Sequence, residues 1–297
     1  MSGVWWAVVA GLGFGLFQTL NRRAVRGMDV FLATFLQLFV SALVLSGASL
    51  ATEDLSLLRA ASAGTLLNFA LAGLIHFFVG WTFLNASQKR IGAARTSPLI
   101  GTTPLFAALI AALTLREFPT WLAGIGIVLI VGGVYVISNE RGGPHSGPQV
   151  SGWRASLLGL SAAFCWALSP IFIRLGLKDL PSPLLGVTVG LIASVVAYGL
   201  ALLWQRGFSL GAAVSRDALV SKIVAAVLVG LSTWARWIAL DLAPVAEVLA
   251  ISLLSVPVVI LLSPLVVDRH LERASARVWL GAGLVVGGVL LLIFYQS

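Results

Sequence analysis

The feature that most constrains this chain is a recurrence: stretches of about 20 mostly apolar residues follow one another with only short polar joints between them. In a bilayer each stretch is long enough for one spanning helix, whose backbone groups are all satisfied within it. Ten runs can be drawn, at 3–20, 30–51, 64–85, 96–115, 120–138, 153–173, 183–204, 219–238, 245–266 and 277–295. Composition agrees, because only 10% of the residues are charged, against about a quarter in soluble domains, and the mean hydropathy is +1.02. The expected fold class is all-α integral membrane, with ten transmembrane helices.

Several function classes fall away on the same grounds. Cys165 is the single cysteine, and His76, His145 and His270 sit on three separate segments, so no Cys/His cluster has metal-ligand spacing and no cofactor is expected. The net charge of +8 does not point to nucleic acid, since the basic residues lie in joints between apolar runs, where they orient a chain in its membrane. No Gly-x-x-x-x-Gly-Lys-Ser/Thr element is present to cradle ATP phosphates. Paired carboxylates or a His/Asp pair at membrane depth are also missing, so an intramembrane enzyme is not expected. Val4-Trp5-Trp6 follows Met1 without a basic n-region, and the first run is expected to be retained as a helix.

The chain repeats itself. The longest polar joint, 139–152, is rich in Gly, Pro and Ser and divides a first unit, 1–138, from a second, 153–297. Gly11 falls on Gly159 at an offset of 148, which also sets Arg26 on Arg174. Pro104 falls on Pro257 at 153, the register that sets Trp81 on Trp234, and Gly132-Gly133 falls on Gly287-Gly288 at 155. Five spans is an odd number, so the second unit must enter the bilayer the opposite way round. Inverted repeats are a common plan of transporters, with substrate sites near the midplane between the halves. Joint charge alternates as ten spans require: 14 Lys and Arg lie in the odd joints and five in the even ones, namely Arg59, Arg116, Arg174, Lys178 and Arg236. By the positive-inside rule the odd joints are cytoplasmic and both termini outside.

Each unit has a proline in its fourth span, Ser97-Pro98-Leu99-Ile100-Gly101-Thr102-Thr103-Pro104 in one and Ile251-Ser252-Leu253-Leu254-Ser255-Val256-Pro257 in the other. The first leads through a short charged joint, Leu115-Arg116-Glu117-Phe118-Pro119-Thr120, to a Gly-x-Gly to Gly-Gly helix; in the second, Asp268-Arg269-His270-Leu271-Glu272-Arg273 stands in place of that joint. This arrangement resembles the EamA-type transporters of the drug/metabolite transporter superfamily over nearly the whole chain. The resemblance implies a ten-helix carrier of the bacterial inner membrane, two five-helix units around a central cavity, commonly exporting amino acids or related metabolites. It also implies cytoplasmic termini, the reverse of what joint charge suggests.

Polar and aromatic groups inside apolar spans are costly unless they face a cavity or a partner helix, which makes them the candidate site. On the third span Phe77, Trp81 and Asn85 share an α-helical face, as do Trp234, Trp237 and Asp241 on the eighth. Trp81 and Trp234, at matched repeat positions, are expected as aromatic walls of the cavity, although tryptophan is also a common interfacial anchor. Phe14, Gln18 and Asn21 form a stripe on the first span, and Trp166 and Ser169 are the repeat partners of Gln18 and Asn21. Amide groups can donate to a substrate carboxylate and accept from its amine, or simply hold helices together. His76 is the one histidine well inside a span, which makes a proton the candidate coupling ion. Arg236 and Asp241 are close enough in sequence to pair as a gate, with Glu247 nearby, and Pro104 and Pro257 are candidate hinges. The function expected is secondary-active export of small amphipathic metabolites such as amino acids, by alternating access of two inverted halves and without ATP. The alternative is efflux of multiple drugs or cationic compounds.

Overall fold

The computed structural model describes residues 2–25, 30–91, 99–138, 153–204, 215–266 and 276–296. The described residues are helical almost throughout, with no strand. The helices are α1 (Gly3–Val25), α2 (Val30–Thr52), a short α3 (Ser56–Ala60), α4 (Ala63–Gly73), a π-helical segment (Leu74–Gly80) and α5 (Trp81–Ile91). They continue as α6 (Thr103–Thr114), α7 (Trp121–Ser138), α8 (Trp153–Asp179), α9 (Pro183–Trp204), α10 (Arg216–Leu242), α11 (Val245–Ser252), α12 (Ser255–Val266) and α13 (Ala276–Gln296).

Six helical stretches are long and apolar enough to cross a membrane: Gly3–Asn21, Phe31–Thr52, Ala63–Leu84, Leu157–Asp179, Pro183–Trp204 and Arg216–Leu242. Shorter apolar stretches, Leu99–Thr114, Trp121–Ile137, Val245–Val259 and Trp279–Leu292, lie where the fourth, fifth, ninth and tenth spans are expected. Two of those four are interrupted. The chain turns at Thr102 before α6 and at Leu253-Leu254 between α11 and α12. Pro104 therefore lies in the first turn of α6 and Pro257 in the first turn of α12. There a proline's missing N–H is one of the donors a helix start leaves unpaired anyway. Thr102 and Leu253 keep helical backbone angles, so each interruption is a local change of winding just before the proline expected as a hinge.

The direction of each helix follows from its contacts. α1 runs antiparallel to α10, with Gly3 beside Ala243 and Asn21 bonded to Lys222. α2 runs parallel to α10, as Gln37 and Ser41 meet Lys222 and the Ala226 carbonyl in order. α9 runs antiparallel to α2, with Ser49 on Thr188 and Glu53 on Ser182. It runs parallel to α4 and the π segment, where Phe69 meets Gly186 and Phe78 meets Tyr198. α8 is antiparallel to that same span, with Thr65 on Asp179 and His76 on Ser169. Relative to α1, then, α8 points the opposite way.

Lipid tails are as apolar as leucine, so close approach of small residues does the packing that hydrophobicity does in water. A Cβ on Gly73 would fall on the carbonyl of Gly190, where α4 crosses α9. α7 and α13 pack through two glycine contacts: a Cβ on Gly133 would lie 2.5 Å from the Gly281 carbonyl, and one on Gly288 2.7 Å from that of Gly126. At the repeat offset of 155, Gly126 corresponds to Gly281 and Gly133 to Gly288, so each contact is the other's mate. Hydroxyls in the spans bond backwards along their own helices, as Thr19 to Gly15, Ser194 to Gly190 and Ser252 to Val248. Trp5, Trp121, Trp204 and Trp279 are exposed near helix ends, the positions where interfacial tryptophans anchor a span.

Candidate functional site

The third span changes its winding where the polar residues are. The π turn from Leu74 to Gly80 spreads five residues over the arc of four, and it brings His76 and Trp81 both onto Trp166 of α8. A plain α-helical spacing would align Phe77 with Trp81 and leave His76 to one side, which is why sequence periodicity did not join these two. Gly80 makes room: a Cβ there would stand 2.7 Å from Trp166 Nε1. The indole instead donates to the His76 carbonyl at 3.2 Å, with its ring stacked on the imidazole at a centroid distance of 5.6 Å. Pro170 lies within α8, next to Ser169, so the π turn and a helical proline face each other.

His76 is buried and joins the two halves. Its Nδ1 is 2.9 Å from Ser169 Oγ on α8, and its Nε2 is 2.8 Å from an Arg236 guanidinium nitrogen on α10. Guanidinium can only donate, so Nε2 accepts and the ring proton sits on Nδ1, donated to Ser169. Arg236 also lies over the Phe14 ring of α1, 4.9 Å from its centroid. A charge in the interior of a bilayer protein needs such partners.

Beside this cluster lies a small cavity of about 10 Å³ lined by Gln37, Leu38, Ser41, Phe77, Trp81, Leu191, Val229, Gly230 and Thr233. That is room for about one water. Trp81 meets Phe17 and Trp166 edge-on, and its buried Nε1 has no hydrogen-bond partner among the described residues. A buried donor of that kind is unusual enough to need an explanation.

The other sequence candidates divide. Asn21 accepts from Lys222, which is 2% exposed and also bonded to Gln37. Gln18, on the same helix as Phe14 and Asn21, is exposed. Trp237 is fully buried against Phe69, and Trp234 packs half-buried against the core and is not among the residues lining the cavity beside Trp81. The Asn85 side chain lies outside the described residues. The expected Arg236–Asp241 pair is corrected: five residues apart on a helix they diverge by about 140°, Arg236 turns inward to His76, and Asp241 is exposed.

Sequence reasoning missed a second polar junction. Arg174, near the end of α8, bonds the carbonyls of Leu240 at 2.6 Å and of Asp241 and Ala243 at 3.4 Å, and its other nitrogen pairs with Glu117. Glu117 in turn accepts the Val245 N–H at 3.0 Å. One ion pair thus caps the carbonyl end of α10 and the amide end of α11, the termini where each charge is favoured. Arg116 makes this possible by taking a positive φ of 58°, which turns the chain out of α6. Lys222, Arg174 and Arg236 also proved to be helix residues with inward partners rather than joint charges. The signal was present, as isolated charges within or beside apolar runs, but their partners are distant in sequence.

A family model described as the EamA-like transporter family matches residues 1–139 and 153–294. The chain belongs to that family. It is a multi-pass membrane transporter of the drug/metabolite transporter superfamily, with two repeats, a lipid bilayer around it and a small molecule as its substrate. No curated protein matches it. A solved structure described as "Crystal structure of protein" is similar in fold, with a TM-score of 0.78 over 99% of this chain and 98% of that one, at 17% identity.

Proposed function

We propose that this EamA-family member is a secondary-active exporter of small amphipathic metabolites such as amino acids, working in a bacterial inner membrane by alternating access of two inverted five-helix halves. The observation that carries this reading is the bridge from His76 on the first half to Ser169 and Arg236 on the second, beside a small cavity with an aromatic wall. Such a junction holds the halves together and offers donors and a ring face to a solute carrying an anionic group and an apolar body. The opposite directions of α1 and α8, and the mated glycine contacts of α7 and α13, support the inverted relation. Four interrupted or shorter apolar helices in symmetric places support a count of ten spans.

His76 is the candidate for proton coupling. Its Nε2 accepts from Arg236, so a proton there would remove the acceptor and set two cations against each other. Efflux of cationic compounds, the other reading, would bring a positive solute to an interior that already presents Arg236 and Lys222, and the geometry favours it less.

Counterflow of labelled amino acids in proteoliposomes, with and without a pH gradient, tests the proposal. Uptake driven by unlabelled substrate, enhanced by the gradient in the natural protein and insensitive to it in His76→Gln, is the expected result. Counterflow absent for every amino acid would remove the substrate class, and an unchanged gradient response in His76→Gln would remove the coupling role.

A further inference from the structure

α10 carries a single stripe, Lys222, Ala226, Val229, Thr233 and Arg236, spaced i, i+4, i+7, i+11 and i+14. Its middle members, Val229 and Thr233, line the central cavity, and its two ends are the basic side chains. At about 1.5 Å per residue the ends are about 21 Å apart, so the cavity is bracketed by positive charge. Arg236 is engaged by the imidazole and the Phe14 ring. Lys222 is different. It is 2% exposed, and among the described residues its ammonium donates to two neutral amide oxygens, Asn21 Oδ1 at 2.6 Å and Gln37 Oε1 at 2.8 Å. No carboxylate among the described residues bonds to it, and those residues supply two acceptors for its three N–H donors. Burying an ammonium away from water is costly, and neutral amide oxygens offset less of that cost than an anion would. Gln37 is at once a ligand of Lys222 and a wall of the cavity, so Lys222 is one side chain from the central space. Of the other walls, Ser41 has its hydroxyl donated to the Ala226 carbonyl, and Leu38, Phe77, Trp81 and Leu191 are apolar or aromatic.

We propose that Lys222, cradled by Asn21 and Gln37, is the subsite for the carboxylate of the transported molecule, which reaches Nζ by displacing the Gln37 amide while its apolar body lies against Phe77 and Trp81. This rests on the carrier function proposed above and specifies its substrate class as an organic monocarboxylate. The amino group is dispensable for this contact. A neutral amide of the same shape offers Lys222 nothing that Gln37 does not already provide. Inorganic phosphate carries the charge without the apolar body and is a poor match for the aromatic wall.

Equilibrium dialysis of labelled benzoate against the detergent-purified full chain, with benzamide and inorganic phosphate as competitors, tests the assignment. Saturable benzoate binding is expected, with benzamide and phosphate each weaker by about tenfold or more, the worth of one charge-assisted hydrogen bond. Lys222→Met should weaken benzoate about tenfold, and Gln37→Glu should do so without changing the side chain's size, because it places an internal carboxylate on Nζ. Gln37→Glu therefore decides the matter even where Lys222→Met does not fold. Benzamide binding as well as benzoate, phosphate outcompeting it, or benzoate affinity unchanged in Gln37→Glu would each overturn the subsite. Benzoate binding without amino-acid counterflow would remove amino acids as the substrate class and leave the subsite standing. Counterflow and benzoate binding both intact in Gln37→Glu would do the opposite.

Discussion

His76 has two ring nitrogens with opposite demands made on them, a hydroxyl that can take a proton and a guanidinium that can only give one. Glutamine can meet both demands with its oxygen and its amide protons, whereas leucine can meet neither. His76→Leu is therefore expected to lower the detergent thermal stability by about 2–3 kcal/mol, the loss that follows when a buried charge-assisted hydrogen bond loses its acceptor, and His76→Gln by clearly less. Equal losses in the two variants would mean that the site senses ring volume alone. A second test concerns Glu117, whose two oxygens serve Arg174 and the Val245 N–H. Both side chains of that pair are partly exposed, at 26% and 20%, so solvent screening leaves the ion pair itself worth under about 1 kcal/mol. The cap adds to it, and Glu117→Ala is expected to cost about 1–2 kcal/mol, read as a lowered melting temperature, with Glu117→Gln intermediate. His76, Trp166 and Ser169 could be named from sequence because polar groups in apolar runs are costly. Their partnership with Arg236 could not, since 160 residues separate it from His76.

At the scale of elements, winding matters more than composition. The π turn at Leu74–Gly80 is not written as any residue type that sequence rules recognise, and a period of 3.6 assumed through it put Phe77, and not His76, with Trp81. The interruptions at Thr102 and Leu253-Leu254 were half legible: the prolines marked the place, but a proline just after a change of winding and a proline within a kink read alike in sequence. The glycines were half legible: matching the halves placed Gly132-Gly133 on Gly287-Gly288, but not that α7 meets α13, nor that Gly133 pairs with Gly281 and Gly288 with Gly126. Those contacts predict a position-specific penalty. Gly133→Ala pushes a methyl onto the Gly281 backbone and should destabilise the α7–α13 pair by about 1–3 kcal/mol. Gly132→Ala, where a Cβ meets nothing within 4 Å, should be neutral or slightly favourable, since alanine is the better helix former. Thermal unfolding of the two variants in detergent checks the contrast, and equal effects would mean that the helices do not approach through this face.

For the whole molecule, the contacts between halves fall into groups at different levels. Thr65–Asp179, Ser49–Thr188 and Glu53–Ser182 gather at the joints after α2 and α8, and Arg174–Glu117 at those after α6 and α10. Lys222 with Asn21 and Gln37 lies toward the opposite ends of α1, α2 and α10. The cavity beside His76, at about 10 Å³, is too small for a metabolite, and parting of one of these polar groups is one way to enlarge it. The Ser49 and Thr188 oxygens are 3.0 Å apart, which makes this pair the place to introduce a cysteine cross-link between α2 and α9. With Cys165→Ala removing the single native thiol, Ser49→Cys/Thr188→Cys should cross-link under oxidation. If α2 and α9 separate during each cycle, the cross-linked carrier loses counterflow and regains it on reduction. Counterflow that persists in the fully cross-linked protein would place the moving interface elsewhere and leave α2 and α9 as one rigid unit.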